Sequence, residues 1–209
     1  MSSDDEAIVY VVDDEEAARS AITSLLASVG LKAQTFASPA DFTAAKRSKG
    51  PACLVLDVRL PGVSGLDFQR ELQAGKDNLP VIFITGHGDI PMSVEAMKAG
   101  AVEFLTKPFR GQALLDAIQR ALEKAREASA EIERLALLRE RYAKLTPREQ
   151  EVMQLVITGL LNKQIAAQLG TSERTIKIHR GQVVRKMQAT SLPDLVRMGD
   201  KLGLPSPKY

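Results

Sequence analysis

Short apolar runs alternate with longer amphipathic stretches along the first 125 residues. Strand-like runs lie at 8–12, 32–36, 52–56, 80–84 and 102–105, and helix-like stretches lie near 16–29, 39–48, 65–74, 90–99 and 110–124. Five repeats of a strand followed by a helix are typical of a parallel sheet with helices on both faces. We therefore expect a doubly wound α/β domain with five parallel strands over residues 1–125.

Two of the apolar runs end in acidic residues. The run 7–12 is followed by Asp13 and Asp14, and the run 53–56 ends at Asp57. The carboxyl ends of parallel strands meet at one edge of a sheet, where ligands bind in open α/β folds. Three carboxylates at one edge repel each other unless a cation neutralises them, and oxygen ligands favour a hard ion such as Mg²⁺. We therefore predict one acidic, metal-binding pocket.

Two further strands end in groups that suit phosphate. The fourth run ends in Thr85, and the fifth is followed by Lys107. No Ser–His pair and no glycine-rich phosphate loop accompanies them. Taken alone, Asp57 is a turn or capping residue and Phe104 is a core aromatic. The joint pattern, with each polar group closing a different strand, instead indicates a site that holds a phosphoryl group on a carboxylate.

A helical connector is expected after the first domain. Residues 112–146 contain no Gly or Pro and are rich in Ala, Glu, Leu and Arg, all of which are compatible with helix. Two apolar stripes in this segment are not in continuous register. We therefore expect a long helix with a break near Ser129, rather than a full coiled coil, and assign residues 126–145 to the linker.

The remaining residues, 146–209, have the pattern of four short helices. Thr146 and Glu149 form a predicted capping box with Pro at the first helical position. We predict helices to about 158 and over 162–169, 173–188 and 192–202. The second and third are joined by a glycine-containing turn, which is typical of a helix-turn-helix unit. The expected fold is an all-α, four-helix helix-turn-helix domain.

Charge is distributed unevenly between the two halves. Residues 1–125 hold 17 acids and 13 Lys/Arg, a net −4, whereas residues 126–209 hold 9 acids and 15 Lys/Arg, a net +6. Such asymmetry suggests nucleic acid as the partner of the basic half. The alternative that charge alone leaves open is a solvated basic face.

The third predicted helix of this half is the candidate for DNA contact, because an α-helix fits the major groove. Residues 171–188 carry five Lys/Arg and one acid. Ile176, Val183, Val184 and Met187 are predicted to face the core. The residues predicted to face or flank DNA are Lys163, Thr171, Ser172, Thr175, Lys177, Ile178, Arg180 and Gly181.

Residues 8–110 resemble the receiver domain of bacterial two-component response regulators, which has a flavodoxin-like fold. The resemblance is carried by AIVYVVDD, ACLVLDVRLP, VIFITGHG and VEFLTKPF. It implies that Asp57 accepts a phosphoryl group from a sensor histidine kinase. It also implies that Asp14, Asp57 and the backbone carbonyl of Arg59 bind Mg²⁺ directly, and that Asp13 acts through water.

The same resemblance assigns the polar groups of the last two strands. Thr85 and Lys107 contact the phosphoryl oxygens in such domains, Phe104 is an aromatic switch that turns inward with Thr85, and the Lys107–Pro108 bond is cis. Without the resemblance, a trans bond is the default expectation for an X-Pro pair. The family pattern is intact at these positions, so we expect a domain that can be phosphorylated.

Residues 145–180 resemble the LuxR-type DNA-binding domain of the NarL/FixJ regulators. The stretch FITGHGDIPMSVEAMKAGAVEFLTKPF, together with the domain combination, resembles the FixJ subfamily. The resemblance implies that 173–188 is the recognition helix, that 192–202 is a dimer contact and that 90–106 is the receiver dimer surface. A regulator of this kind forms a homodimer on phosphorylation, binds promoter DNA and has RNA polymerase as a further partner.

The sequence offers three alternatives to a phosphorylation-activated regulator. A phosphatase that uses Asp57 as its nucleophile usually needs a second Asp where this chain has Arg59, and a flavin-binding flavodoxin is disfavoured because the acids at 13–16 repel a cofactor phosphate. A DNA-binding regulator with a purely structural receiver stays open. The acidic first seven residues, the single Cys53 and the absence of a run of about 18 apolar residues lead us to expect a cytoplasmic protein without membrane contact.

Overall fold

The computed structural model describes residues 6–48, 50–75, 77–86 and 88–205. The chain divides into two compact units, Met1–Ser129 and Ala130–Tyr209. The first five residues, on which part of the localisation expectation depends, lie outside the described residues. Within the described ranges, no helix is both long and apolar enough to cross a membrane.

The first unit is built on a five-stranded parallel sheet. Its strands are β1 (Ile8–Val12), β2 (Lys32–Phe36), β3 (Ala52–Asp57), β4 (Val81–Thr85) and β5 (Glu103–Thr106). Their spatial order is β2-β1-β3-β4-β5, with every neighbouring pair parallel. The strand order reverses between β1 and β3, since β2 is added on one side of β1 and β3 to β5 on the other. This is the point where ligands bind in doubly wound folds. The predicted sheet is confirmed.

Helices cover both faces of this sheet. They are α1 (Glu16–Ser28), α2 (Pro39–Ala44), α3 (Gly65–Ala74), α4 (Ile90–Lys98) and α5 (Gly111–Ala143). Because successive strand residues point to opposite faces, Leu54 packs in one apolar cluster with Phe42 and Phe68, whereas Val55 packs in a second with Leu26. Burial on both faces explains why the strands are almost continuously apolar.

Two helices differ from the sequence-based expectation. Helix α2 ends at Ala44 instead of 48, because Ala45 is extended (φ −77°, ψ 144°) and the Ser48 backbone N–H donates to the Tyr10 hydroxyl at 2.8 Å. Helix α5 continues through Ser129, so the expected break was wrong. A single serine costs a helix little, and its neighbours are strong helix formers.

The second unit contains the four predicted short helices, α6 (Pro147–Ile157), α7 (Asn162–Gln168), α8 (Glu173–Met187) and α9 (Leu192–Lys201). Side-chain oxygens of Thr146, Ser172 and Ser191 cap α6, α8 and α9 by accepting backbone N–H groups of the first turn. The core joins Val152, Ile165 and further apolar residues of all four helices to Leu138 and Leu145.

One core prediction in α8 was wrong. Ile176, Val183 and Met187 are buried as expected, but Val184 is 37% exposed. The three buried residues are seven and four positions apart and therefore share one side of the helix. Val184 is turned about 100° from Val183, since a helix has about 3.6 residues per turn. Its side chain lies at the margin of the outward side.

Candidate functional site

Three acidic side chains meet at the carboxyl edge of the sheet. The register pairs Val12 of β1 with Leu56 of β3, so the next residues, Asp13 and Asp57, are neighbours. One oxygen each from Asp13, Asp14 and Asp57 lies within 4.8 Å of the others. Asp13 and Asp57 are buried, whereas Asp14 is exposed. The structure therefore brings the three predicted carboxylates into one pocket.

The Lys107 ammonium lies inside this pocket. Its Nζ donates to Asp13 Oδ2 at 2.7 Å and to Asp57 Oδ2 at 2.8 Å. Burial alone would lower the pKa of Lys107, but its hydrogen bonds to both carboxylates raise that pKa above its ordinary value. Burial raises the pKa of Asp13, against the opposing hydrogen bonds from Lys107 and from the Glu15 backbone N–H. Within the described residues, Lys107 thus contacts two of the three carboxylates of the pocket, Asp13 and Asp57.

Backbone contacts hold the turns that carry these carboxylates. Asp57 Oδ1 accepts the Arg59 backbone N–H at 2.9 Å. Arg19 of α1 donates through Nη1 to the backbone carbonyls of Asp13 at 2.6 Å and Asp14 at 2.9 Å. Arg19 was not predicted as a site residue, because its contact depends on the side chain folding back over the turn. Both turns are therefore braced from within the first unit.

Gly65 is a second residue that sequence reasoning missed. It begins α3, and its N–H donates to the Val58 carbonyl at 2.9 Å. A Cβ placed on Gly65 would lie 2.3 Å from the Asp57 carbonyl oxygen and 3.0 Å from Val58 Cα. Only a residue without a side chain allows α3 to begin this close to the backbone of Asp57.

The ends of β4 and β5 reach the same edge. Thr85 is buried, and its backbone carbonyl accepts the Lys107 N–H at 2.7 Å. The β4–β5 register pairs Phe83 with Phe104, and the two rings are tilted with centroids 6.4 Å apart. Phe104 is half-buried, and the Lys107–Pro108 bond is cis, as the resemblance implies. The predicted hydroxyl of Thr85 and the aromatic ring of Phe104 are thus contributed by these two strands, and the ammonium of Lys107 directly follows β5.

The second unit presents one side of α8 to solvent. Lys177, Ile178 and Gly181 are exposed, and the apolar Ile178 is 58% accessible. Arg174 lies four positions before Ile178 and is also exposed, so it shares this side although it was not among the predicted residues. The side combines cationic and apolar groups, as base-edge and phosphate contacts require.

The other predicted DNA-binding residues surround this side of α8. Ser172 caps the helix by accepting the Thr175 N–H at 3.1 Å, and Thr171 precedes the cap. Lys163 is exposed on α7. Arg180 is half-buried and donates to Asn162 Oδ1 at 2.8 Å, which ties α8 to α7.

Both units match known families. Residues 9–119 match the response regulator receiver domain, and residues 143–199 match the bacterial regulatory proteins of the luxR family. The chain is 52% identical to nodulation protein W of Bradyrhizobium diazoefficiens, over 95% of this chain and 88% of that protein. It is 44% identical to transcriptional regulatory protein FixJ of Rhizobium meliloti, over 91% of this chain and 93% of that protein. The chain belongs to the response-regulator family.

The structural comparison agrees with this assignment. The solved structure of the response regulator StyR matches with a TM-score of 0.81 at 46% identity, over 94% of this chain and 99% of that one. With a receiver and a LuxR-type domain, the protein is a two-component transcriptional response regulator that binds DNA through the latter. The family consists of regulators rather than enzymes, so the phosphatase and flavodoxin alternatives are set aside.

Glu149 and Lys186 form an ion pair in the DNA-binding half of this response regulator. Glu149 Oε2 accepts the Thr146 backbone N–H at 2.7 Å and Lys186 Nζ at 2.6 Å, and Lys186 also donates to the Lys144 carbonyl at 3.3 Å. The sequence predicted the capping box but not the ion pair, whose partners lie 37 positions apart. Burial raises the pKa of Glu149, but the bonds from Lys186 and Thr146 outweigh it and leave that pKa below 4.5, its ordinary value.

Glu149→Gln is expected to lower the free energy of unfolding of the second unit by roughly 2 kcal/mol at neutral pH, because Lys186 loses a charged, buried partner. A carboxyl with a depressed pKa stabilises the fold above its ordinary pKa, and this contribution is lost as pH falls through the depressed value. The difference between variant and wild type should therefore shrink on acidification, which thermal unfolding followed by circular dichroism would measure.

The control for this prediction is Glu151→Gln. Glu151 is half-exposed and pairs with Arg148 three positions away on the same helix, so its loss should change stability by less than about 1 kcal/mol. Equal losses in the two variants, or a Glu149→Gln effect that does not depend on pH, would contradict the assigned role of the Lys186 pair.

Proposed function

We propose that this response regulator accepts a phosphoryl group on Asp57 from a sensor histidine kinase, and that phosphorylation promotes dimerisation and promoter binding. The supporting observation is the Lys107 ammonium, which contacts Asp57 at 2.8 Å and Asp13 at 2.7 Å in a pocket with excess negative charge. The buried Asp57 carboxylate thus lies beside an ammonium that could contact the oxygens of a phosphoryl group attached to it. The division into a receiver domain (1–125), a linker (126–145) and a DNA-binding domain (146–209) is still a prediction.

In the proposed transfer, a carboxylate oxygen of Asp57 attacks the phosphorus of the donor phosphohistidine. A P–O bond forms, the P–N bond breaks, and the imidazole leaves with the electron pair and takes up a proton. The phosphoryl group brings charge and three strong acceptor oxygens. Lys107 and the Thr85 hydroxyl are proposed to turn toward these oxygens, which would couple the chemistry to the ends of β4 and β5.

The acidic pocket fits Mg²⁺ by its donor chemistry, since it offers only oxygen ligands. We propose that Asp14, Asp57 and the backbone carbonyl of Arg59 bind the ion directly and that Asp13 acts through water. When bound, Mg²⁺ would neutralise charge on the phosphoryl oxygens.

An apolar stripe on α4 supports dimerisation within the proposed surface 90–106. Ile90, Val94 and Met97 are 79%, 45% and 46% exposed and lie four and three positions apart, so they share one side of the helix. A contiguous exposed apolar patch marks an interaction surface. The regulatory role leads us to propose three further properties. They are a second dimer contact through residues 192–202, RNA polymerase as a partner, and a cytoplasmic location.

The Lys177→Ala substitution tests the DNA-binding side of α8. Removal of this exposed ammonium is expected to weaken DNA binding about tenfold and, if Lys177 contacts a phosphate, to reduce the salt slope by roughly one. Affinity is measured by fluorescence anisotropy on a DNA site selected from a random library, at several salt concentrations. The control is Arg139→Ala, which removes an exposed cation of α5 outside the predicted side. Unchanged affinity and base preference in Lys177→Ala would refute this placement.

A further inference from the structure

Gly88 lies between β4 and α4, against the side chains proposed as the switch. A Cβ placed on Gly88 would lie 2.9 Å from Phe104 Cε1, 3.2 Å from Thr85 Cγ2 and 2.7 Å from Thr106 Cγ2. Carbon atoms in favourable contact are separated by about 3.5–4.0 Å. Any other residue at position 88 would therefore displace at least one of these three side chains.

Backbone conformation does not explain the glycine at this position. Gly88 does not have a positive φ, and neither does Gly86 two residues earlier. The two differ in their surroundings, because a Cβ on Gly86 would meet no atom within 4 Å. A side chain at position 88 is thus excluded by the closeness of Phe104 and Thr85. Gly86, in the same loop, provides a control position at which a side chain meets no neighbour.

The three displaced groups move by side-chain rotation. Thr106 is exposed, so its methyl group can turn away into solvent. Phe104 is half-buried, and its ring carbon can move by rotation of the side chain about χ1 or χ2. Thr85 is buried, so a rotation that moves its methyl group also re-aims its hydroxyl at the carboxyl edge. Two of the three side chains that must rotate, Phe104 and Thr85, are thus the two residues of the proposed switch.

We infer that Gly88 is a positioning residue of the switch: its missing side chain leaves the space in which Phe104 and Thr85 adopt the arrangement described here. In this arrangement Lys107 contacts an unphosphorylated Asp57. The inference depends on the proposed function, because the pair must respond to phosphorylation. A ligand or substitution shifts a two-state equilibrium only by its differential effect on the two states. A side chain at 88 acts against the unphosphorylated arrangement and so shifts the balance without phosphorylation.

Gly88→Ala is therefore expected to raise the DNA affinity of the unphosphorylated full-length protein. Coupling between two sites is typically 5- to 150-fold, so we expect the affinity ratio with and without phosphorylation to fall by roughly tenfold. Gly86→Ala should keep the ratio within about twofold of wild type, since surface substitutions without contacts have small effects. Affinity is measured by anisotropy on the library-selected site, before and after incubation with Mg²⁺ and acetyl phosphate.

A second readout reports the side chains directly. In unphosphorylated Gly88→Ala, the NMR signals of the Phe104 ring and the Thr85 methyl group should shift away from their wild-type positions, whereas Gly86→Ala should leave them in place. Equal signals and equal affinity ratios in the two variants would overturn the inference. So would a Gly88→Ala protein with an unchanged Phe104 signal and a reduced ratio, because the effect would then act elsewhere.

A third comparison remains decisive if Gly88→Ala folds poorly. In a Phe104→Ala background the ring carbon at 2.9 Å is absent. The stability loss caused by Gly88→Ala should therefore be smaller by roughly half or more, because the effects of substitutions at contacting residues on stability do not add. Additive losses would overturn the inference. Intact mass is recorded in parallel. A wild type that gains no phosphoryl group would refute the proposed function, whereas the NMR and stability comparisons test the Gly88 contact without phosphorylation.

Discussion

Asp57→Asn is expected to gain no phosphoryl group from acetyl phosphate and Mg²⁺, while the wild type gains one. The asparagine side chain keeps the size of aspartate and an oxygen that can accept the Arg59 N–H, as Asp57 Oδ1 does at 2.9 Å. It lacks the anionic oxygen that attacks phosphorus, and it offers Lys107 a neutral partner in place of a carboxylate. Intact mass spectrometry measures the gain, and light scattering measures whether the wild type alone doubles its molar mass.

Asp67→Asn serves as the control, because Asp67 is an exposed carboxylate of α3 that pairs with Arg70 on the same helix. It should be phosphorylated and dimerise as the wild type does. Phosphorylation of Asp57→Asn would show that another residue is the acceptor. A wild type whose DNA affinity is the same with and without the phosphoryl group would instead support the regulator with a purely structural receiver.

Gly65→Ala is expected to destabilise the first unit by about 3 kcal/mol and to slow phosphorylation of Asp57. The added Cβ meets the Asp57 carbonyl oxygen at 2.3 Å, and this neighbour is backbone inside a parallel sheet rather than a side chain that can rotate. Either α3 or the end of β3 must move, and movement of β3 displaces the acceptor carboxylate from Lys107.

Hydrogen exchange of the β3 amides and the rate of mass gain with acetyl phosphate measure these two effects. Gly86→Ala is the matched control, because its Cβ points into open space. If Gly65→Ala exchanges and reacts at wild-type rates, close contact between α3 and the Asp57 backbone does not position the acceptor.

The amino-acid sequence determined the elements and the edge at which the chemistry lies. Buried parallel strands require apolar runs, and polar groups can begin only where each run leaves the core. The positions of Asp13, Asp57, Thr85 and Lys107 after four such runs therefore predicted their convergence. Capping residues in the second unit likewise predicted where its helices begin, because Thr146 and Ser172 satisfy N–H groups of the first turn within three residues.

Tertiary structure decided the contacts between residues far apart in the chain. The close approach of Gly65 to Asp57 and the ion pair of Glu149 with Lys186 depend on how elements pack. Packing also turned Val184 outward, because apolar character does not state which side of a helix meets the core. Local patterns report which groups can be buried or capped. The distances from Asp57 to Lys107 and from Gly88 to Phe104 join different elements, so they are set only by the packing of those elements in the folded domain.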